Sequence, residues 1–360
     1  MSLAAPASAA YRTVPESTWS ANKTVFDVAV RGDTVYLGGK FTAMKNSETG
    51  EAEPAGGLAA LDRVTGELLW TATANGEVRS LAVSADGTKV FAGGAFTTIN
   101  GATDNHIAAL APATGAPISS WQASASGAVS DLVVSGPDLY AGGNFGQVNG
   151  ARRGGLARLD VASGAVDPWK ASTAGGRPEA LTLSTDGTSL IVGGSFTTLA
   201  GLPRTYLGSV STVTGQATEW APAPACATCT VLDVDTDTGA TYAAATGPGG
   251  RLTAYANADG KQLWSRGADG NIQAVAVSND GLVYAGGHFE LNFGGTTRAQ
   301  LAAVNATTGA VDPFAPKMLG DPFPGVWALT ARPDALFVGG GFTGVGSATN
   351  QARYAELPTG

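Results

Sequence analysis

One feature constrains this chain above all others: six copies of a short text in which an apolar strand ends on two glycines and an aromatic follows. The copies read YLGGKFT from Tyr36, FAGGAFT from Phe91, YAGGNFG from Tyr140, IVGGSFT from Ile191, YAGGHFE from Tyr284 and FVGGGFT from Phe337. Their first glycines lie 55, 49, 51, 93 and 53 residues apart. The gap of 93 holds a worn copy, VLDVDTDTGATYAAATGPGG, in which Ala244 and Ala245 replace the glycines. A unit of roughly fifty residues cannot bury its own faces and has to stack on its neighbours.

Each unit opens on an alternating strand such as VRSLAV, Val78 to Val83, turns on Gly or Asp, and runs a second strand into the double glycine. Glycine there removes Cβ atoms from a crowded centre and is expected to allow a positive φ at a bulge. A third strand of the LAALD type, a Thr-Gly turn and a fourth segment follow, ending on Trp70, Trp121, Trp169, Trp220, Trp264 or Phe314. The last unit stops after the strand around Tyr354. Trp19 lies 51 residues before Trp70, in text that matches the segment around Trp169.

The fold class read from this pattern is all-β: a seven-bladed β-propeller of four-stranded antiparallel blades, closed by an N-terminal strand, about 12–20, that completes the last blade. Residues 1–10 are expected to be a tail and 11–360 one domain. Its blades are placed at about 25–76, 77–127, 128–176, 177–229, 230–270, 271–325 and 326–360.

Composition agrees with many short strands: 44% of residues are hydrophobic, 14% are charged, and there are 51 Gly and 18 Pro. A formal charge of −8 with only 21 Lys and Arg leaves no broad basic field for a phosphate backbone, so nucleic acid is not an expected partner. No apolar run approaches the ~18 residues that span a bilayer. Met1 to Leu3 read as an artificial start, and the Ala-rich stretch to Ala10 as the end left by signal removal, which points to a secreted or cell-surface chain. Cys226 and Cys229 lack the further ligands of a zinc site and do not open a helix, so a local disulfide is expected, with a free thiol pair as the alternative.

The YxGGxFT text, the VNG after it and the LARLDVASGAVDPW segment from Leu156 together resemble the delta-60 repeat of secreted bacterial propellers, over nearly the whole chain. ALDRVTGELLW, ending at Trp70, resembles the tryptophan-docking motif of quinoprotein propellers, and the double glycine resembles kelch repeats. The last two resemblances are shared propeller grammar.

Chemistry is sparse. Quinoprotein dehydrogenases carry adjacent cysteines beside the quinone, whereas two residues separate Cys226 and Cys229. Copper-radical and streptogramin-type lyase propellers rely on histidines, and His106 and His288 lie far apart in the repeat. Asp233, Asp235 and Asp237 lack the closing glutamate of a calcium loop and read as a turn. Arg153, Arg204 and Arg298 recur at one repeat position, which argues for a shared structural contact. No metal and no cofactor is expected.

In a repeat, what recurs is scaffold and what varies is the better candidate for function. The long loop after Phe41, the HFELNFGG text with His288 and Glu290, the MLGDPFPG insertion (Met318 to Gly325) and Trp327 break the pattern. One early position of the innermost strands is chemically mixed: Phe26, Arg79, Ser130, Glu179, Leu232, Gln273 and Trp327. The expected ligand site, on the channel mouth, comprises Phe26, Arg79, Glu179, Gln273, His288, Glu290 and Trp327. The expected function is a non-catalytic, monomeric binding or adhesion module for carbohydrate or protein. The alternatives are a lyase or glycan hydrolase, in which Glu179 and Glu290 would be the carboxylate pair, and a structural spacer.

Overall fold

The computed structural model describes residues 11, 18–320, 323–346 and 352–359, and every element among them is a β-strand. Seven antiparallel sheets begin with strands Val25–Arg31, Val78–Val83, Val129–Ser135, Pro178–Leu183, Val231–Thr236, Ile272–Val277 and Val326–Ala331. Each pairs with the strand that ends in the double glycine, or in Ala244 and Ala245, and that strand pairs with the third. These first strands pack on one another in chain order, and Val326–Ala331 packs on Val25–Arg31.

The core is divided between the sheets. One buried apolar cluster joins the first two repeats, through Leu58 and Trp70 with Val90 and Phe96, and similar clusters lie between later neighbours. Another sets Ala328, Phe337 and Tyr354 of the last repeat against Val25, Val28 and Phe41 of the first.

The two glycines have different reasons. A Cβ on the first would strike the next sheet: 2.7 Å from Val129 at Gly93, 2.4 Å from Val326 at Gly286, and 2.9 Å from Val25 at Gly339. A Cβ on the second would lie 2.1 Å from a backbone oxygen of its own sheet at Gly94 and Gly287. Positive φ is not among the reasons, contrary to expectation: neither glycine of any pair adopts it. The bulge sits on the opposite strand.

Four-stranded blades were expected throughout, but among the described residues only the first and fifth repeats form a full fourth strand, Leu68–Thr73 and Gln262–Gly267. In four others that strand is reduced to single bridges such as Leu159↔Val166. Proline explains most of the loss, because Pro117, Pro168 and Pro313 cannot donate to a ladder. Side chains take over the donor nearby: Asp167, Thr218 and Asp312 accept the backbone N–H of Trp169, Trp220 and Phe314 at 2.7, 3.3 and 2.8 Å. The indoles then reach the next repeat, Trp70 donating to Pro112 O at 2.7 Å and Trp264 to Ala306 O at 2.9 Å. The recurring arginines are structural too. Arg153, Arg204 and Arg298 each donate to the carbonyl of the residue before and of the residue fourteen on.

The expected closing strand is described only in part. Trp19–Ala21 pairs with Ala43–Asn46 of the first repeat, with Trp19 opposite Asn46, and Trp19 is not paired with the last repeat. In other repeats the hairpin contact comes four residues after the aromatic, as in Trp70 and Ala74↔Ile99. Here Ala21↔Met44 comes two after Trp19, so Trp19 is out of register with the other tryptophans. Tyr11 forms the bridge to the last strand, at Thr359, and its hydroxyl donates to Arg332 O at 2.5 Å. Residues 12–17, most of the expected closing strand, lie outside the described residues, as do 1–10.

Candidate functional site

Every first strand carries a bulge at the same place. The pairing register skips one residue opposite the double glycine, and the skipped residues are Phe26, Arg79, Ser130, Glu179, Leu232, Gln273 and Trp327. A bulge leaves its extra residue unpaired and re-aims the side chain. All seven line one cavity of about 400 Å³ at the centre of the sheets. Scaffold geometry thus turns one variable position of the repeat into a ring of side chains.

The ring is not uniform. Phe26 and Trp327 meet edge to face, with centroids 5.7 Å apart, across the junction of first and last repeats. Lys40 Nζ and the Arg79 guanidinium lie 5.5 and 5.7 Å from the Phe26 ring centre. Arg79 also pairs with Glu77 at 2.6 Å, and Arg177 with Glu179 at 2.7 Å. Two polar atoms of the ring side chains are buried without a hydrogen-bond partner: Trp327 Nε1 and Oε1 of Gln273, the latter residue only 4% exposed.

Below the bulges lies an acidic layer that sequence reasoning missed. Asp27 accepts the N–H of Val28 at 2.7 Å and, from the next sheet, that of Leu81 at 2.6 Å. Asp131 does the same with Leu132 and Leu181, both at 2.7 Å, and Asp233 with Val234 and Val275, both at 2.8 Å. Asp235 repeats the pattern with Thr236 and Val277. Each carboxylate therefore ties two neighbouring first strands together. Burial pushes Asp27 up to about 7 and Asp131 and Asp235 up to about 6, against the lowering pull of those N–H donors. Asp233 is raised as well, first by burial, with the Asp131 and Asp235 charges adding to it. Only Asp237 is the turn residue expected for the whole DVDTD text, accepting the N–H groups of Gly239 and Ala240.

Of the expected site residues, the structure brings together Phe26, Arg79, Glu179, Gln273 and Trp327. It does not bring in His288 or Glu290. The His288 ring packs on Phe323, 5.5 Å away, and burial lowers its pKa with Glu290 opposing. Glu290 is exposed in the outer hairpin, where its N–H is held by Asp269. Glu290 does not line the cavity that Glu179 lines, so the two are not a carboxylate pair there. His106 sits at a left-handed position, φ 67°, shared by Tyr206 and Gln300 of other repeats. No group of His, Cys, Asp and Glu suited to a metal ion occurs among the described residues. Cys226 and Cys229 form a disulfide, and neither lines the cavity, so they could not flank a group bound there.

Residues 16–246 match the family described as outer membrane protein assembly factor BamB. The chain belongs to this family. Its fold is a β-propeller, as two solved structures also indicate. The WD40 β-propeller domain of Doa1 is similar with a TM-score of 0.58 at 11% identity, over 98% of this chain and 97% of that one. A computationally designed protein, Ika8, is similar with a TM-score of 0.53 at 14% identity, over 97% of this chain and 100% of that one. No curated protein matches the chain. Family membership and these likenesses account for the scaffold.

Proposed function

We propose that the chain is a closed, seven-bladed propeller acting as a monomeric, non-catalytic binding module, secreted or cell-surface in location, with its ligand at the channel mouth. One observation carries this reading: seven bulge residues of mixed chemistry converge on a single cavity while the scaffold around them repeats. Blade count and closure are supported by the packing of Val326–Ala331 on Val25–Arg31 and by the hydrogen bond from Thr330 Oγ1 to Val28 O, 2.6 Å. A disulfide in a loop favours an oxidising compartment. The resemblance to secreted delta-60 propellers points the same way.

The ligand is a carbohydrate or a protein, since aromatic and polar groups at one mouth suit both. An assembly role, as the family description has it for BamB, is the second reading, favoured by the match over residues 16–246. A glycan array probed with the whole chain and with Trp327→Ala tests the first. Glycan binding that Trp327→Ala loses supports a mouth site. Binding that survives the substitution would move the site elsewhere on the propeller.

A further inference from the structure

We propose that a second site, at the junction of the third and fourth repeats, holds the phosphate or sulfate group of a small molecule. It stands apart from the channel mouth and does not rest on the reading given for it.

One position of the repeat explains why a space exists there. Asn100, Asn149, Ala200, Gly294 and Gly346 all hold left-handed backbone, with φ between 47° and 65°. Asn149 and Ala200 are equivalent in contact too: their N–H groups donate to Ser124 O and Ser172 O, both at 2.8 Å. Asn and Gly suit that conformation, whereas Ala brings a Cβ and no side-chain hydrogen bond in return. Asn149 uses its amide to tie two repeats, Nδ2 donating to Gln122 O at 3.2 Å and to Gly164 O at 3.1 Å. Between the fifth and sixth repeats Arg266 takes that part, its Nε donating to Gly309 O at 2.6 Å. The counterparts between the third and fourth are Lys170 O and Gly215 O, and the Ala200 methyl has nothing to donate to them. Ala200, Lys170 and Gly215 instead line a cavity of about 440 Å³.

The lining is cationic. Arg152, Arg153 and Lys170 belong to it, with Ser172 and Gln216, and no Asp or Glu is among the lining residues. Arg153 is scaffold, and its guanidinium meets two carbonyls, which leave its charge uncancelled. Arg152 and Lys170 break the repeat: Thr103, Pro203 and Thr297 stand at the first position, and Gln122 and Ala221 at the second. Both cations are exposed, and neither has an ion-pair partner among the described residues. In a chain of formal charge −8, two unpaired and non-recurring cations thus converge from separate segments on a junction whose tie is missing.

A multiply charged oxyanion answers this lining. The guanidinium and the ammonium both donate to it, and the Ser172 hydroxyl supplies a further donor. A carboxylate, with one charge and two oxygens, uses fewer of these donors. A neutral ligand gains nothing from the charges, and a cation is repelled by them. About 440 Å³ falls within the range of small-molecule sites, so there is room for a body that carries the anionic group. A hydroxyl on that body can meet Gly215 O, as the Asn149 amide meets Gly164 O.

The test is a calorimetric titration of the full chain with glucose 6-phosphate, inorganic phosphate and glucose at low ionic strength. Arg152→Thr and Lys170→Gln install the residues of the second repeat. Ala200→Asn installs the residue of the third, which should close the cavity and keep or raise the thermal transition. Glucose 6-phosphate should bind, inorganic phosphate more weakly and glucose not at all, and added salt should weaken both phosphates. Each of the three variants should weaken glucose 6-phosphate at least tenfold. Phosphate binding equal in wild type and all variants would overturn the site. Binding that falls with either cation but survives Ala200→Asn would mean attraction to a charged surface and overturn the cavity as the binding element. Glucose bound as tightly as its phosphate would overturn the ligand class. No phosphate binding by the folded wild type would overturn the proposal and leave the channel-mouth reading untouched.

Discussion

Asp27 shows how much one residue does in this scaffold and how little of it the sequence displays. A lone acidic residue at an alternate position of a strand reads as an ordinary solvent-facing polar group. Its work, bridging Val28 and Leu81 of two sheets, exists only in the register between repeats. The folded carboxyl is held up to about 7 from an ordinary 3.8, so the fold binds this proton more tightly than the unfolded chain. Its contribution to stability is therefore complete below pH ~4 and lost as pH rises through ~7. Asn cannot titrate, so the advantage of wild type over Asp27→Asn in melting temperature should shrink between pH 4 and 7. A difference that is constant or grows across that window contradicts the shifted carboxyl. The bulge residues were more legible than the aspartates. Counting from each double glycine aligned Phe26, Arg79, Glu179, Gln273 and Trp327, and variation at an aligned position is visible without knowing any contact. His288 and Glu290 misled because they were chosen for breaking the repeat, and that break falls in the outer hairpin, outside the cavity lining.

At the level of elements, the sequence displayed strands better than their ends. The first three strands of each repeat follow from alternation and Gly-Gly, whereas fourth strands were overcounted, although Pro117, Pro168 and Pro313 stood in plain view. Trp19 stands two residues out of register with the other tryptophans, a slip that motif spacing cannot detect. The junction of first and last repeats therefore works differently from the others. In the first five repeats an indole N–H reaches a carbonyl at or just past the end of the next third strand; here Arg63, at that place, lies 5.0 Å from the Phe337 ring centre. Arg63 pairs with both Asp334 and Glu356 of the last repeat, its Nε donating to Glu356 Oε1 at 2.9 Å. Arg63 and Glu356 are largely buried, at 13% and 11% side-chain exposure, so removing the cation takes the guanidinium from a largely buried carboxylate. Arg63→Ala should cost about 3 kcal/mol in urea unfolding. A loss within about 0.5 kcal/mol, typical of a surface substitution, would show that the junction does not depend on this triad.

For the whole molecule, the repeat was legible because the double glycine is dictated twice, by the neighbouring sheet and by the strand's own backbone, and only the copy ending in Ala244 and Ala245 departs from it. What the repeat could not tell is that its variable positions meet, since that requires the last repeat to come back to the first. Phe26 and Trp327 stand 301 positions apart in the chain and in contact across that junction. A double-mutant cycle with Phe26→Ala, Trp327→Ala and the double variant, measured by urea unfolding, tests closure and the shared cavity together. An edge-to-face pair predicts a coupling of about 0.5–1.5 kcal/mol. Strict additivity of the two losses would contradict contact between the chain's two ends and, with it, the single mouth at which the bulge residues converge.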